Sequence, residues 1–432
     1  MKKIVILGAG ISGLTLAWKL HQKFQNSIDI TIIEAQDKIG GWIQTKRFPN
    51  TILDLGPKGF SLQGNGFYTM QLLKELQLDK EIIPASKISK NKYIFSENKV
   101  KKLSKKHFFL YGLIPFILKD LLAKQHLKSD DSVYNFLSRH FPKKFLINTL
   151  DPIITSIKAG NINLLSAKET FPHLWNLEKK HGSIIKGILK NQSSIIQHLF
   201  QNRKINLFSL KNGLETLIHT LQEKTPVTLL LSSPVTSIVI NDNKKITIQT
   251  KNKLIEGDLC FYTLPLTLLP SLLSSKYNFI NNHIKYWDVS CMAFGWTNPF
   301  LNPYQGYGMV INKNAESQVL GLVWNSNIFP QQQTKPQTRL SIIFSGAPSK
   351  NEAYKICFNA IQKYLGIFQE PDYSGYLQGK QSIPQLLPDF HITKSLLKQY
   401  LPHNLKIVGQ NISGPGINNC IKSAFQAVST LQ

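Results

Sequence analysis

The chain is poor in cysteine and poor in acid. Its 432 residues hold four cysteines. Cys260, Cys291, Cys357 and Cys420 are far apart, outside any Cys-x-x-Cys or Cys/His spacing. That excludes a zinc-ribbon site and a disulfide scaffold, and predicts reduced, mostly buried thiols in a cytoplasmic protein. No apolar run reaches the roughly 18 residues that a membrane-spanning helix needs. There is no low-complexity tract and no internal repeat. Only 25 acidic residues stand against 51 lysines and arginines, for a formal net charge of +26. Lysine vastly outnumbers arginine, and isoleucine and asparagine are abundant, so genomic bias accounts for part of the excess. The rest calls for an anionic partner: acidic lipid, nucleic acid or a carboxylate-rich substrate. No helix-turn-helix, finger or RNP signature accompanies the charge, so nucleic acid is not the expected partner. Neither a Ser/His/Asp set nor a carboxylate pair suggests a side-chain base. His107, His126, His173 and His181 read as structural.

What is present begins at the amino terminus. Ile4 to Leu7 is a short apolar run, as expected of a buried parallel strand. Gly8, Gly10 and Gly13 follow as G-x-G-x-x-G, then a helix from about Ser12 to Phe24. In such a unit the first glycine makes the tight turn and the second lets backbone approach a pyrophosphate. The third lets helix and strand pack closely, and the helix amides point at the phosphates. Glu34 ends a second strand about 20 residues on, where its carboxylate can bind a ribose 2′-OH. The lysines and apolar stretch of Met1 to Leu16 mimic a signal peptide, but the glycine spacing and continuing helix reject that reading. Gly40-Gly41 lets a second backbone segment close over the pyrophosphate. Gly56 and Gly59, in Asp54-Leu-Gly-Pro-Lys-Gly59, admit amides beside a flat ring. A nicotinamide site lacks these additions; together they predict non-covalently bound FAD.

At this length two or three domains are expected. Residues 1–85 read as the first segment of the FAD-binding domain, with an amphipathic helix over Met70–Leu78. Residues 86–204 form a basic, aromatic, helical insertion. Residues 205–260 return to strands (204–210, 227–231, 235–240 and 245–250) with a turn at Asp242-Asn243. Residues 261–384 are a substrate domain with strands at 290–296, 307–311, 319–324 and 339–344 and a helix over 352–365. Residues 385–432 close the FAD-binding domain with a strand over 405–409, a glycine turn and a terminal helix whose amides can face a flavin edge. The fold class expected is α/β and α+β: a discontinuous Rossmann-like FAD-binding domain, a mixed-sheet substrate domain and a helical membrane-associating insertion. Within that insertion, Lys99 to Lys128 sets lysines beside Phe108 to Leu118, a pattern suited to an anionic membrane surface. A core helix with a solvated basic flank is the alternative. The location expected is cytoplasmic, with this region able to lie on the membrane face.

These residues also resemble a known family, the oxygen-dependent protoporphyrinogen oxidases, flavin amine oxidase-like enzymes of haem biosynthesis. The likeness rests on Lys38 to Thr45 (KIGGWIQT), Asp54 to Gly59 (DLGPKG) and Ala159-Gly160-Asn161. It continues in Phe208 to Glu215 (FSLKNGLE), Thr263-Leu-Pro265, Gln305 to Gly308, Ile383-Pro-Gln385 and Gly416 to Ile421 (GINNCI), nearly the whole chain. The resemblance implies FAD contacts at Gly8, Ala9, Gly10, Ile11, Ser12, Gly13, Glu34, Ala35, Gly41 and Trp42. It implies further contacts at Gly56, Pro57, Lys58, Gly59, Val235, Pro415, Gly416 and Ile417. It implies a porphyrinogen pocket near Gly160, Tyr307, Gly308, Val310 and Val323, a six-electron oxidation carried by the flavin, and oxygen or another electron acceptor. The coproporphyrinogen-oxidising branch is the near alternative, and its tetracarboxylate substrate would suit the lysine excess. A non-enzymatic basic membrane- or RNA-binding protein on a degenerate nucleotide fold is the remote one. Monoamine oxidase-like chemistry fits less well, because Cys420 lies inside the helix start rather than where covalent flavin attachment is expected. The family often anchors a propionate with an arginine after the second flavin loop. Here no arginine occurs between Arg47 and Arg139, which leaves Lys101, Lys102, Lys105 or Lys106. Ala424 replaces a glycine of the tail motif, a minor departure.

Overall fold

Ile4 to Leu7 are the buried end of β1 (Lys2–Leu7) in the computed structural model, which describes residues 1–104, 108–123, 128–190, 206–241, 245–300, 304–312 and 318–431. The glycine turn leads to α1 (Ile11–Phe24) and β2 (Ile28–Ile33). A hairpin, β3 (Thr45–Phe48) and β4 (Thr51–Asp54), precedes α2 (Gly66–Glu75) and β5 (Ile82–Pro84). A second hairpin is β6 (Lys92–Ser96) and β7 (Lys99–Lys102). Helices follow: α3 (Ile114–Leu121), α4 (Val133–His140), α5 (Asp151–Lys158), α6 (Pro172–His181) and α7 (Ile184–Lys190). The chain returns as β8 (Phe208–Leu210), α8 (Glu215–Lys224), β9 (Thr228–Leu230), β10 (Val235–Ile240), β11 (Ile246–Thr250), β12 (Leu254–Gly257) and β13 (Leu259–Tyr262). Then come β14 (Ile284–Trp287), β15 (Val289–Trp296), β16 (Gly308–Ile311), β17 (Val319–Val323), β18 (Thr338–Ser345) and α9 (Lys350–Leu365). Last are β19 (Tyr373–Leu377), β20 (Ile383–Leu386), α10 (Phe390–Tyr400), β21 (Leu405–Ile407) and α11 (Ile417–Ser429).

A five-stranded parallel sheet, β21-β13-β1-β2-β9, gathers strands from three distant parts of the chain. Ile4 and Ile6 face a core shared with α1, α2 and α11, while Val5 and Leu7 face a second core with β10, β11 and α10. Alternate side chains on one strand thus bury against two layers, as a covered parallel sheet requires. The second sheet has seven strands, β19-β15-β18-β17-β16-β6-β7, antiparallel except for β16 beside β6. Met292, Phe294, Leu322, Ile342 and Phe344 turn to α9. A capping box at Ser349 and Glu352 starts that helix, and Gly366 in the left-handed region ends it. Helices α4 to α7 enclose a third core around Phe136, Leu146 and Trp175.

Several boundaries differ from the sequence reading. The helix expected over Met70–Leu78 runs from Gly66 to Glu75, because Gln77 is left-handed (φ 62°). The tail strand stops at Ile407, ahead of Gly409 at φ +94°. β13 crosses the expected boundary at residue 260, and Leu266 to Ile284 pack on the nucleotide side. Past residue 86, β6 and β7 belong to the seven-stranded sheet. The partners deciding these points lie hundreds of residues away, so local pattern does not reveal them. The Asp242-Asn243 turn, the start of the 204–210 strand, Lys105, Lys106, His107 and His126 lie outside the described residues.

Candidate cofactor and substrate site

Two helices begin at glycines and have no side-chain cap. α1 starts after Gly10 and α11 after Gly416, and neither has an acid in its first turn. Uncapped amides without a competing carboxylate suit an anion. A Cβ on Gly10 would meet nothing within 4 Å, whereas one on Gly13 would lie 2.0 Å from the Gly8 oxygen. Gly13 is therefore spent on helix–strand packing, and Gly10 borders open space. Gly40 bridges to Gly10, its amide donating to the Ala9 oxygen (2.9 Å), and Gly41 comes to face Gly10. The expected second segment thus does fold over the phosphate turn. Ser12 lies against Gly409, where a Cβ would be 2.5 Å from its Oγ. The Glu34 carboxylate accepts from the amides of Ala9 (2.8 Å) and Gln36 (2.9 Å). The Ser233 amide donates to the Glu34 oxygen and the Ser232 amide to Gln36, which brings half-buried Val235 to the same corner as exposed Ala35. Asn418 fastens the first turn of α11, accepting from Thr69 (2.6 Å) and donating to Ser61 (2.8 Å).

Gly56 and Gly59 have a tighter local duty than the sequence suggested. A Cβ on Gly56 would sit 1.8 Å from the Trp42 oxygen, and one on Gly59 would sit 2.4 Å from that of Phe208. These glycines lock the flavin loop onto its own chain. Trp42 packs beside Leu53, Leu55, Cys291 and Ala293. Lys58 is buried; its Nζ donates to the Asp54 oxygen and lies 3.5 Å from Cys291 Sγ, tying the loop to β15. Burial pushes the Asp54 carboxyl up, although Thr45 (2.6 Å) and the Leu214 amide (3.1 Å) donate to it.

The seven-stranded sheet turns its other face to these loops. Cys291 and Ala293 pack with Trp42 and Leu55. Val323, Ile343 and Tyr307 pack with Ile83, Ala85 and Leu207, and Leu207 lies against Gly59. Gly308 and Val310 alternate with Met309 and Ile311, which enter the α9 core, so they share the loop-facing side with Val323. α5 packs on β16 and β17, with Ser156 Oγ donating to the Leu320 oxygen (3.1 Å). Gly160 follows the left-handed Ala159 at the end of α5 and lies against Gln385 and Leu165. The five expected pocket residues therefore gather around one sheet face and the helix that lies across it. Lys101 sits on the outermost strand pair and binds Glu97 (2.5 Å), while Lys99 and Lys102 are exposed.

Sequence reasoning missed two features. Arg339 on β18 is fully buried and donates to the oxygens of Ile52 (2.9 Å) and Phe329 (2.8 Å); burial pushes its pKa down to about 10. A lone arginine inside an apolar strand of a lysine-rich chain was the available signal. His140 is also fully buried, in ion-pair contact with Asp120 (2.6 Å) and Glu178 (3.1 Å). It had no sequence signal, because its partners come from α3 and α6. All four cysteines are buried and unpaired with one another. Burial pushes Cys420, inside α11, up to about 11, which leaves it a poor nucleophile.

An uncapped glycine turn, a second glycine segment over it and a third strand-turn-helix from the tail are the features of a flavin-dependent oxidoreductase. The residues fit an FAD: open space at Gly10 and uncapped amides at α1 would hold the pyrophosphate, and Glu34 the ribose. The chain belongs to the flavin containing amine oxidoreductase family, whose model matches residues 11–379. It is 26% identical to a protoporphyrinogen oxidase of Bos taurus, over 99% of this chain and 98% of that one. It is 23% identical to a coproporphyrinogen III oxidase of Bacillus subtilis, over 99% and 97%. Among solved structures, a candidate protoporphyrinogen oxidase from Exiguobacterium superposes with a TM-score of 0.81 at 18% identity, covering 99% of this chain and 98% of that one. Cyclohexylamine oxidase from Brevibacterium oxydans gives 0.73 at 14%, with the same coverage. The chain is thus an FAD-dependent oxidoreductase.

Proposed function

We propose that this enzyme oxidises a porphyrinogen to the porphyrin in haem biosynthesis, with protoporphyrinogen IX as the preferred substrate. The observation that carries the reading is the full-length likeness to relatives named for porphyrinogen oxidation, joined to an apolar sheet face turned toward the flavin loops. Apolar walls suit a flat macrocycle. Porphyrinogen and porphyrin differ by six electrons and six protons, removed in three two-electron rounds. When bound, FAD would supply the two-electron acceptor for each round, with oxygen as the terminal oxidant reduced to peroxide. The chain's own residues bind, orient and exclude water. Val323, Val310 and the glycines Gly308 and Gly160 form the wall, and Lys58 and Trp42 hold the flavin loop against the sheet. The test is the appearance of porphyrin fluorescence with each porphyrinogen under steady-state conditions, with the flavin spectrum recorded in parallel. Faster turnover of protoporphyrinogen supports the reading. A clear preference for coproporphyrinogen moves the assignment to the other branch, whose four carboxylates the net charge of +26 would suit without deciding between the two. No turnover of either rejects both.

The basic insertion is read as a membrane-facing surface. Among the described residues no helix is long and apolar enough to cross a membrane. α3 and its flanks nevertheless expose Tyr111, Ile114, Leu118 and Leu122, with Leu118 at 63% and Leu122 at 83%. An exposed apolar helix face in the same basic segment as exposed Lys99 and Lys102 suits the interface of an anionic bilayer. Flotation with anionic vesicles is expected to fall when Leu118 and Leu122 both become Gln, with flavin content unchanged. Equal flotation of the variant would reject this surface.

A further inference from the structure

Lys158, the last residue of α5, is an exposed cation without a partner among the described residues. It makes no hydrogen bond, ion pair or ring contact with them, and desolvation alone holds its ammonium below the usual lysine range. Lys158 ends the helix that carries the expected pocket: α5 lies across β16 and β17, and Gly160 follows two residues later. Lys92, also of this sheet, holds its Nζ over the Tyr307 ring at 5.8 Å. A second polar group is unsatisfied beside Gly160. Gln385 is only 5% exposed and its Nε2 donates to the Ala159 oxygen (3.0 Å), but its Oε1, beside Gly160, has no donor. A buried acceptor left alone is costly unless a ligand supplies the donor.

We propose that Lys158 binds a carboxylate of the substrate, with Gln385 Oε1 accepting an N–H from the same molecule. This rests on the porphyrinogen reading, since a porphyrinogen presents pyrrole N–H groups on its ring and carboxylates on its rim. The carboxylate site thereby moves from the lysines after the second flavin loop to the end of α5. Lysine offers a point charge rather than a planar fork, so it holds a flexible propionate without demanding one orientation.

The test is equilibrium binding of protoporphyrin and of its dimethyl ester to the FAD-loaded enzyme, followed by the porphyrin absorbance shift. The wild-type chain is expected to prefer the free acid about tenfold, the scale of one charge-assisted contact. Lys158→Met should lose that preference, with flavin content and melting temperature unchanged, and Lys158→Arg should keep most of it. A merely structural lysine at a helix end would leave the acid-to-ester ratio alone. A Lys158→Met enzyme that still discriminates acid from ester overturns the proposal while leaving porphyrinogen oxidation standing. A wild-type enzyme that binds no porphyrin and turns over no porphyrinogen overturns both.

Discussion

Gly10 and Gly13 stand three residues apart in one motif and should fail in different ways when replaced. Gly13 has no room: a Cβ would meet the Gly8 oxygen at 2.0 Å. Gly13→Ala should therefore destabilise the protein itself, by about 1–3 kcal/mol as overpacking does, with a lower melting temperature even after flavin removal. A Cβ on Gly10 would meet nothing within 4 Å. Gly10→Val should leave the flavin-free protein as stable as the parent and abolish FAD retention, read from flavin absorbance after gel filtration. A Gly10→Val protein with normal flavin content would refute the placement of the phosphate grip. Both glycines were legible in the sequence; which of them serves packing and which borders open space was not, because that depends on what stands opposite each Cα.

The helical insertion is held together by charge as much as by its apolar core. Arg139 on α4 binds Glu178 on α6 through two bonds (2.6 and 3.0 Å) and reaches Asp131 (2.9 Å). His140 stands between Glu178 and Asp120, and Asp120 accepts from the amides of Ile184 and Ile185 at the start of α7. Four helices thus meet at one buried network, which positions the exposed face of α3. Burial alone would lower the His140 pKa, but its two carboxylates raise it on balance. Burial would likewise raise Asp120 and Glu178, but their donors leave both lowered. The sign follows from linkage. The histidine's contribution is complete below its ordinary 6.5 and fades as pH rises through its raised folded value. The carboxylates contribute fully above their ordinary 3.8 and 4.5 and fade as pH falls through their lowered folded values. Thermal melts across pH should show the insertion most stable between about 4.5 and 6.5, with loss on both sides. Glu178→Gln should cost about 3–5 kcal/mol, because it leaves buried positive charge uncompensated, and the acid limb of the profile should flatten. A profile unchanged by that substitution would show that the network is not what fastens these helices.

For the molecule as a whole, the segments proposed to hold the cofactor come from pieces far apart in sequence: Gly8 to Gly13, Gly40-Gly41, the turn at Ser232 to Val235, and Gly414 to Asn418. A ligand that binds only when all are in place stabilises the whole chain by mass action, about 2.7 kcal/mol at a hundredfold excess over its dissociation constant. Removing FAD should therefore lower the melting temperature of the parallel sheet and of the seven-stranded sheet that Lys58 and Arg339 tie to its loops, and adding it back should restore the temperature in a concentration-dependent way. If deflavination leaves the seven-stranded sheet's melting unchanged, the buried contacts between loop and sheet do not couple the two sheets.

The sequence by itself determined the things that rest on short range. The phosphate turn and its helix, the acid ending β2, the discontinuous α/β plan and most strands of the second sheet follow from spacing and alternation within a dozen residues, and the family motifs stand in order along the chain. Tertiary structure alone decided which faces meet. It assigned Gly56 and Gly59 to packing against Trp42 and Phe208, drew β6 and β7 into the substrate sheet, and buried Arg339 and His140 among partners from other elements. It also left Lys158 without a partner among the described residues, two positions before Gly160. These outcomes depend on contacts between residues tens to hundreds of positions apart, and a side chain's burial, charge state and ligand are set by those neighbours rather than by its own segment.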